Sequence, residues 1–446
     1  MSLVYQLPTP AAINFQHLLD DPTGQRTSQL SCANDARSSM RMALKECRQD
    51  PKRQDWLKII KVIEGYLPHL LGLMTAVQTD RLLLSNEIIF SWRPTLSSRR
   101  VRTGPRISLP SFQYELVCVL FTLALALSNH SNFVVSSLGS YEFGSDASRR
   151  SGDEKLNLAV DGLCRASGLL EFLSRETIPD WEKTHPDGAA QLRSCRPPEL
   201  SREVTSSLSR VALADAERLA IRRLLSKSAM DRHTTPGAGL PKSHPSPALL
   251  AKLELNVYQL YCDAINGFNL AIGVGELLGN LRDNATQARH FALGRGYKWL
   301  AVEAGELINR PSEAISWLGL ARKEIKGLNN GPGSIIRNGF LKNERSFWKE
   351  KVEHELEEID TFLKGYEQLN RTVTFEPIPS PTSLLARVPG GRPALCPKKY
   401  SLPSPLTNDF VSVGGSGNVD WADSDDEELA NPGLNTAAYA LKGSYY

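Results

Sequence analysis

Trp348-Lys-Glu-Lys-Val-Glu-His-Glu-Leu-Glu-Glu-Ile-Asp-Thr-Phe-Leu-Lys-Gly-Tyr366 decides the class of the fold. Trp348, Val352, Leu356, Ile359, Leu363 and Tyr366 recur every three or four residues, while Lys349, Glu350, Lys351, Glu353, Glu357 and Glu358 hold the other faces. A stripe of that period makes one side of an α-helix dry and the rest wet. The same spacing appears upstream in Trp56, Ile60, Ile63, Leu67 and Leu71, where Pro68 predicts a kink, and in Leu208, Ala212, Ala216 and Leu219. Leu249, Leu253, Val257 and Leu260 follow Pro245 and Pro247, which suit a helix entry. The most apolar stretch, Leu116 to Leu127, is too short to cross a bilayer and reads as a buried helix. Alternating patterns are scarce. Phe133-Val134-Val135 is a weak strand candidate, and Val373-Thr374-Phe375 is the best extended segment. These readings predict a mostly α fold, with helix pairs stacked as an irregular solenoid.

Composition bounds the function. The chain has 446 residues, enough for two or three domains or one long helical array. Its 52 basic and 49 acidic side chains leave a formal charge of +3, so bulk charge gives no support to a nucleic-acid partner. Seven cysteines, an odd number without any C-x-x-C pair, argue against a disulfide framework or a zinc module and suit a cytoplasmic protein. The first residues lack the basic start and apolar run of a secretion signal, and the last four carry no prenylation cysteine. Three polar stretches are expected as loops: Arg93 to Arg106, Tyr141 to Gly152 and Ser226 to Ser246. The first holds five arginines and no acid, which makes it a candidate for peripheral contact with anionic lipid as well as a plain surface loop. From about residue 386 to 446 the composition turns to Pro, Gly and Ser and then to the acidic run Asp420 to Glu428. Such a segment buries too little apolar surface to offset its ordering entropy, so a disordered tail is expected, with Trp421 and Tyr439 as aromatic anchors. The folded domain is accordingly expected to span residues 1–385.

Chemistry is sparse. There is no G-x-S-x-G, P-loop or H-E-x-x-H, and Gly273-Val-Gly-Glu and Gly331-Pro-Gly read as turns and helix caps. No two of the eight histidines stand three to five residues apart, so no helical metal pair is present. No catalytic, cofactor or metal residue is therefore predicted. A long helical chain of this kind points to a non-enzymatic binding scaffold, with a helical enzyme built on a Cys or His centre as the reading from another class.

Several segments, taken in order, resemble one family. Tyr114-Glu-Leu-Val-Cys-Val-Leu-Phe-Thr-Leu-Ala-Leu-Ala-Leu-Ser is similar to the Bro-domain signature F-E-x-x-x-V-L-F-N-x-A-A-L-x-S. Leu163-Cys-Arg-Ala-Ser-Gly-Leu-Leu-Glu-Phe-Leu, Leu213-Ala-Asp-Ala-Glu, Ala248-Leu-Leu-Ala-Lys-Leu, Pro311-Ser-Glu-Ala-Ile-Ser-Trp-Leu-Gly-Leu-Ala and Val373-Thr-Phe-Glu-Pro-Ile-Pro resemble later blocks, so the likeness covers residues 5 to about 385. It implies a helical boomerang with a tetratricopeptide-like core that binds the C-terminal amphipathic helix of the main ESCRT-III filament subunit. Leu7-Pro-Thr-Pro-Ala-Ala-Ile-Asn-Phe and the acidic, Trp-containing tail look most like the fungal pH-response branch of that family. That branch implies an adaptor in ambient alkaline-pH signalling. Such an adaptor links ESCRT-III to a plasma-membrane sensor complex, upstream of proteolytic activation of a zinc-finger transcription factor. It would be cytoplasmic and recruited to cortical sites or endosomes. A general endosomal trafficking role is the alternative within the family. The resemblance places the helix-binding groove at Leu249 and Leu253, which match two apolar family positions, and at Asp153, which matches an acidic one. It departs from the family at Ala220, where Alix has a phenylalanine and Ile221 stands alongside, and at Asn157, where Alix has a lysine.

Overall fold

The computed structural model describes residues 3–50, 54–98, 106–185, 187–228, 240–328 and 341–406, the side chains of Ser98 and of 341–347 excepted. Arg99, Arg100, Arg102, Trp421, Tyr439 and the acidic run lie outside the described residues.

Helices carry most of the chain: α1 (Thr27–Gln49), α2 (Trp56–Gln78), α3 (Phe112–Ser136), α4 (Asp146–Phe172), α5 (Ile178–Thr184), α6 (Gly188–Cys195), α7 (Arg202–Ser226), α8 (Pro247–Asn269), α9 (Gly279–Val302), α10 (Pro311–Gly327), α11 (Leu341–Leu369) and α12 (Pro381–Leu385). Their starts follow elementary capping chemistry. The side chains of Asp55, Ser111, Ser145 and Ser201 accept backbone N–H groups at the heads of α2, α3, α4 and α7. Pro247 and Pro311 open α8 and α10 at positions where a missing N–H costs nothing. The long helices pack in chain order, α1 on α2, α2 on α3, α3 on α4, α4 on α7, α7 on α8, and so on to α10 on α11. This is the expected solenoid. Trp56–Gln78 and Phe112–Phe143 are long and apolar enough to cross a membrane, but 61% and 78% of their most apolar windows are buried inside the protein.

Three expectations change. Phe133-Val134-Val135 lies inside α3, because no breaker interrupts that helix before Ser136. Val373 and Thr374 belong to a wide helical turn, and Phe375 has a left-handed backbone (φ 51°). The cause is local. The Asn370 side chain accepts from Thr374 Oγ1 (2.6 Å) and Glu376 N (3.1 Å) and donates to Glu376 O (3.0 Å), so the chain coils instead of extending. The stretch from Tyr141 to Gly152 is largely helical, since α4 begins at Asp146.

A small antiparallel sheet, unanticipated from sequence, joins β1 (Thr9–Pro10), β4 (Ile89–Arg93) and β6 (Ile107–Pro110), with Thr9 opposite Arg93 and Trp92 opposite Ile107. Two-stranded pairs link β2 (Leu19–Asp20) to β3 (Leu83–Leu84) and β5 (Ser97–Ser98) to β7 (Glu276–Leu277). The sheet is tied to the helices through Glu115, the acid of the family signature. Its buried carboxylate accepts from Arg37 Nε on α1 (2.8 Å), Trp92 Nε1 on β4 (2.6 Å) and Tyr66 OH on α2 (3.3 Å). Removing one partner of such a buried pair typically costs about 3–5 kcal/mol.

The domain does not close at 385. Residues 386–406 run on as an extended strap against α8, α7, α4 and α2, so the expected start of the tail belongs to the folded body. Pro389, Pro393, Pro397, Pro403 and Pro405 favour that extended form before docking, which lowers the entropy lost on ordering.

Candidate functional site

The predicted site residues fall on three neighbouring helices, α4, α7 and α8. Reciprocal hydrogen bonds fix the α4–α7 spacing: Ser167 Oγ donates to Ser209 O (2.9 Å), and Ser209 Oγ donates to Ser167 O (2.8 Å). Asp153 and Asn157 lie near the start of α4, Ala220 and Ile221 near the end of α7, and Leu249 and Leu253 near the start of α8. The hydrogen bond from Ser226 Oγ to Asp153 Oδ2 (3.2 Å) shows that the ends of α4 and α7 meet.

Individual burial sorts these residues. Leu253 is 3% exposed and Ile221 0%, so both are part of the core and present no apolar surface to a partner. Leu249 and Ala220 are half-buried, and Asn157 is exposed. Asp153 is occupied: its Oδ1 accepts from Tyr141 OH (2.8 Å) while Oδ2 accepts from Ser226. Burial, and then the Asp153 carboxylate, push the Tyr141 phenol well above its ordinary range, so that proton stays in place. Arg222 closes the corner, donating to Glu142 (2.5 Å) and Gly139 O (2.6 Å) with its guanidinium 5.2 Å from the Tyr141 ring centre. Sequence reasoning missed Leu224, which is 39% exposed and lies one turn beyond Ala220 on the same face of α7. Its spacing from Ala220 was the available signal. Leu249, Ala220 and Leu224 therefore form the open apolar part of the predicted site.

The strap runs one helical turn away on all three helices. Arg392 N donates to Lys252 O on α8 (3.0 Å), Ala394 N to Glu217 Oε1 on α7 (3.1 Å) and Lys398 N to Cys164 O on α4 (3.0 Å), and Lys398 Nζ pairs with Asp161. Asn157 and Asp161, Ala220 and Glu217, and Leu249 and Lys252 are each three or four residues apart, hence on shared helix faces. Glu217 also accepts twice from Asn256 Nδ2 (3.0 and 2.9 Å), and burial raises its carboxyl above the usual range. Farther along, the Tyr400 ring meets Phe172 edge-on at 5.3 Å, and Leu406 N reaches Pro68 O (3.0 Å). Two glycines let the strap lie this close. A Cβ on Gly168 would stand 1.6 Å from Lys398 O, and one on Gly72 would stand 2.2 Å from Leu406 O. Gly168 is the glycine of the Ala-Ser-Gly block, so that block has a physical reason.

The geometry offers little for catalysis. Burial pushes the Cys47 and Cys164 thiols up to about 11 and the Cys118 thiol well above its usual range, the opposite of what a thiolate nucleophile needs. Among the described residues there is no cluster of three or more His, Cys, Asp or Glu able to hold a metal. The cavity beside Tyr5, Asp215 and Tyr261 measures about 30 Å³, room for a water or two.

Comparison with known proteins agrees with this architecture. Residues 26–391 match the model of the BRO1-like domain. The pH-response regulator protein palC of Cryptococcus neoformans var. neoformans serotype D is 31% identical, with 99% of each chain covered. The palC protein of Emericella nidulans is 24% identical, covering 90% of this chain and 89% of its own. Among solved structures, the ALIX BRO1 CHMP4C complex superposes with a TM-score of 0.61 at 15% identity, over 92% of this chain and 98% of that one. A Bro1-domain structure described as a basis for endosomal targeting superposes with a TM-score of 0.56 at 14% identity, over 91% and 93%. The chain belongs to the BRO1-like domain family and, within it, to the palC group of fungal pH-response regulators.

Proposed function

We propose that this protein is a non-catalytic adaptor in fungal alkaline-pH signalling. It captures the C-terminal amphipathic helix of the main ESCRT-III filament subunit on the α4–α7–α8 face and connects it to a plasma-membrane pH-sensor complex, upstream of proteolytic activation of a zinc-finger transcription factor. The protein works from the cytoplasm and is recruited to cortical sites or endosomes. The observation that carries this reading is the open apolar surface of Ala220 and Leu224 on α7 and Leu249 on α8, two helices that the strap ties to each other and to α4. An amphipathic segment sets its apolar anchors into such a groove. Each anchor contributes roughly 1.5–3 kcal/mol when buried. Association and ordering costs offset several kcal/mol, leaving a micromolar affinity of about −8 kcal/mol. Small Ala220 in place of an aromatic leaves more of the contact to the two leucines.

The test is fluorescence anisotropy with a labelled peptide of the filament subunit's C-terminal helix and the Leu249→Asp/Leu224→Asp double variant. Both side chains reach solvent, so helical content is expected to persist while binding is lost. Leu253→Asp is the wrong probe, because it would place a carboxylate in the core and report on folding. An unchanged affinity in a double variant of native helical content would remove the groove assignment.

A further inference from the structure

Four arginines converge where α1 meets the three-stranded sheet, away from the α4–α7–α8 face. Arg41 and Arg48 lie seven residues apart on one face of α1, along with Arg37. Arg93 ends β4 opposite Thr9 of β1. Arg106 directly precedes β6 and donates Nη1 to Thr9 O (2.7 Å) and Ser91 O (3.3 Å). Arg37 is neutralised by Glu115. The other four have no such partner: among the described residues no carboxylate pairs with Arg41, Arg48, Arg93 or Arg106. The Nε atoms of Arg41 and Arg93 are buried with no hydrogen-bond partner. The groups also feel one another. Burial, and then the Arg93 charge, hold Arg48 below the ordinary arginine range, and burial with the charges of Arg93, Arg41, Arg48 and Arg37 does the same to Arg106.

Like charges gathered on a scaffold, with buried donors left unmet, oppose folding unless a ligand answers them. Guanidinium forks match the oxygens of a phosphate group better than any other side chain does. We infer that Arg41, Arg48, Arg93 and Arg106 form a binding site for a phosphate-bearing anion, supplied as a lipid headgroup or as a soluble phosphate ester. Arg106 also holds the sheet through its carbonyl contacts. Arg41 and Arg93, which make no such contacts and whose buried Nε donors are unmet, are therefore the residues to substitute.

The experiment uses the full chain. Melting temperature is followed with inorganic phosphate and with a soluble inositol trisphosphate headgroup, at ionic strength matched with chloride. Co-sedimentation is run in parallel with vesicles of phosphatidylcholine alone or with added phosphatidylinositol bisphosphate. The phosphate ligands are expected to raise the wild-type melting temperature. Arg41→Gln/Arg93→Gln is expected to weaken binding at least about tenfold and, without ligand, to melt above the wild type because repulsion is relieved. A merely structural role would lower that ligand-free melting temperature. Should the double variant fold poorly, Arg48→Gln on the half-buried face of α1 serves in its place. Capture by the charged vesicles assigns the anion to a membrane, and headgroup binding without vesicle capture assigns it to a soluble ester. No response to any phosphate ligand, or equal binding by the arginine variants, overturns the site.

Discussion

Gly168→Ala separates two effects of opposite sign. Near the C-terminal end of α4, where the helical course continues past Phe172, an alanine favours the helix by about 1 kcal/mol over glycine. Its methyl carbon, however, would stand 1.6 Å from the Lys398 carbonyl oxygen. Carbon–oxygen contacts settle near ~3.3 Å, so the strap must move by roughly 1.7 Å. The Lys398 N–Cys164 O bond, now 3.0 Å, does not survive that displacement. Its loss costs ~0.5–1.5 kcal/mol. Leu395 and Tyr400, both half-buried, lose about 1 kcal/mol each, half the value of a fully buried side chain. The helix gain is present whether the strap is seated or open, so it does not offset these losses: the strap loosens by about 3 kcal/mol, which raises its open population on the order of a hundredfold. Trypsin reads this directly, because Lys398 and Lys399 lie inside the strap. When opening is fast relative to cleavage, the cleavage rate follows the open population. Gly319→Ala is the control, since nothing lies within 4 Å of its added Cβ on α10, and it should stabilise by ~0.5–1 kcal/mol without changing strap cleavage. A Gly168→Ala protein stabilised like the control, with the strap cleaved at the wild-type rate, would refute the seating of Lys398 on Gly168.

Two further outcomes follow from buried charge. Glu217→Ala removes the acceptor for Ala394 N and for Asn256 Nδ2, leaving donors unmet at a cost of about 1–3 kcal/mol; strap cleavage should rise, and Glu217→Gln, which keeps one acceptor oxygen, should be milder. Burial, and then the charges of Arg218, Arg295 and Arg222, bring Lys351 down to about 7 from its ordinary 10.5. Between those values the unfolded chain holds the proton and the folded chain does not. Its contribution to stability is therefore complete above pH 10.5, shrinks as the pH falls and is gone below about 7, with a slope of at most ~1.4 kcal/mol per pH unit. Lys351→Met should flatten urea stability between pH 7 and pH 9, and a slope unchanged by the substitution would contradict this.

The helices legible in the sequence are those whose apolar residues keep the 3.6 period and whose ends carry ordinary caps, such as α2, α8 and α11. The sheet escaped because its strands are two to five residues long, too short for alternation to register. Leu253 and Leu249 look equivalent in sequence, four apart on one helix. Only packing against neighbouring helices tells the sealed residue from the half-open one. In sequence the strap reads as tail, because proline, glycine and serine composition signals loop. Its partners are main-chain carbonyls, a carboxylate and two glycines on helices far away in sequence. Composition carries no record of backbone contacts made by other segments. The Gly168 position was visible as part of a family block, but its cause was not.

The strap also explains how the groove proposed on the α4–α7–α8 face would stay shaped. In a stacked helix array each element contacts mainly its chain neighbours, so errors in spacing accumulate along the stack. A segment crossing α8, α7, α4 and α2 adds links between residues as far apart as Asp161 and Lys398 or Gln29 and Leu406. The closure entropy of such long loops grows only as the logarithm of their length, about 0.6 kcal/mol per doubling. Several modest hydrogen bonds and two aromatic or aliphatic contacts are enough to offset it. The three helices that carry Asn157, Ala220, Leu224 and Leu249 are thereby fixed relative to one another before any partner arrives. A fixed groove spares a binding helix part of the ordering cost it would otherwise have to meet. The segment after residue 385 is on this view part of the binding scaffold, and its docking belongs with the groove residues in any account of recognition.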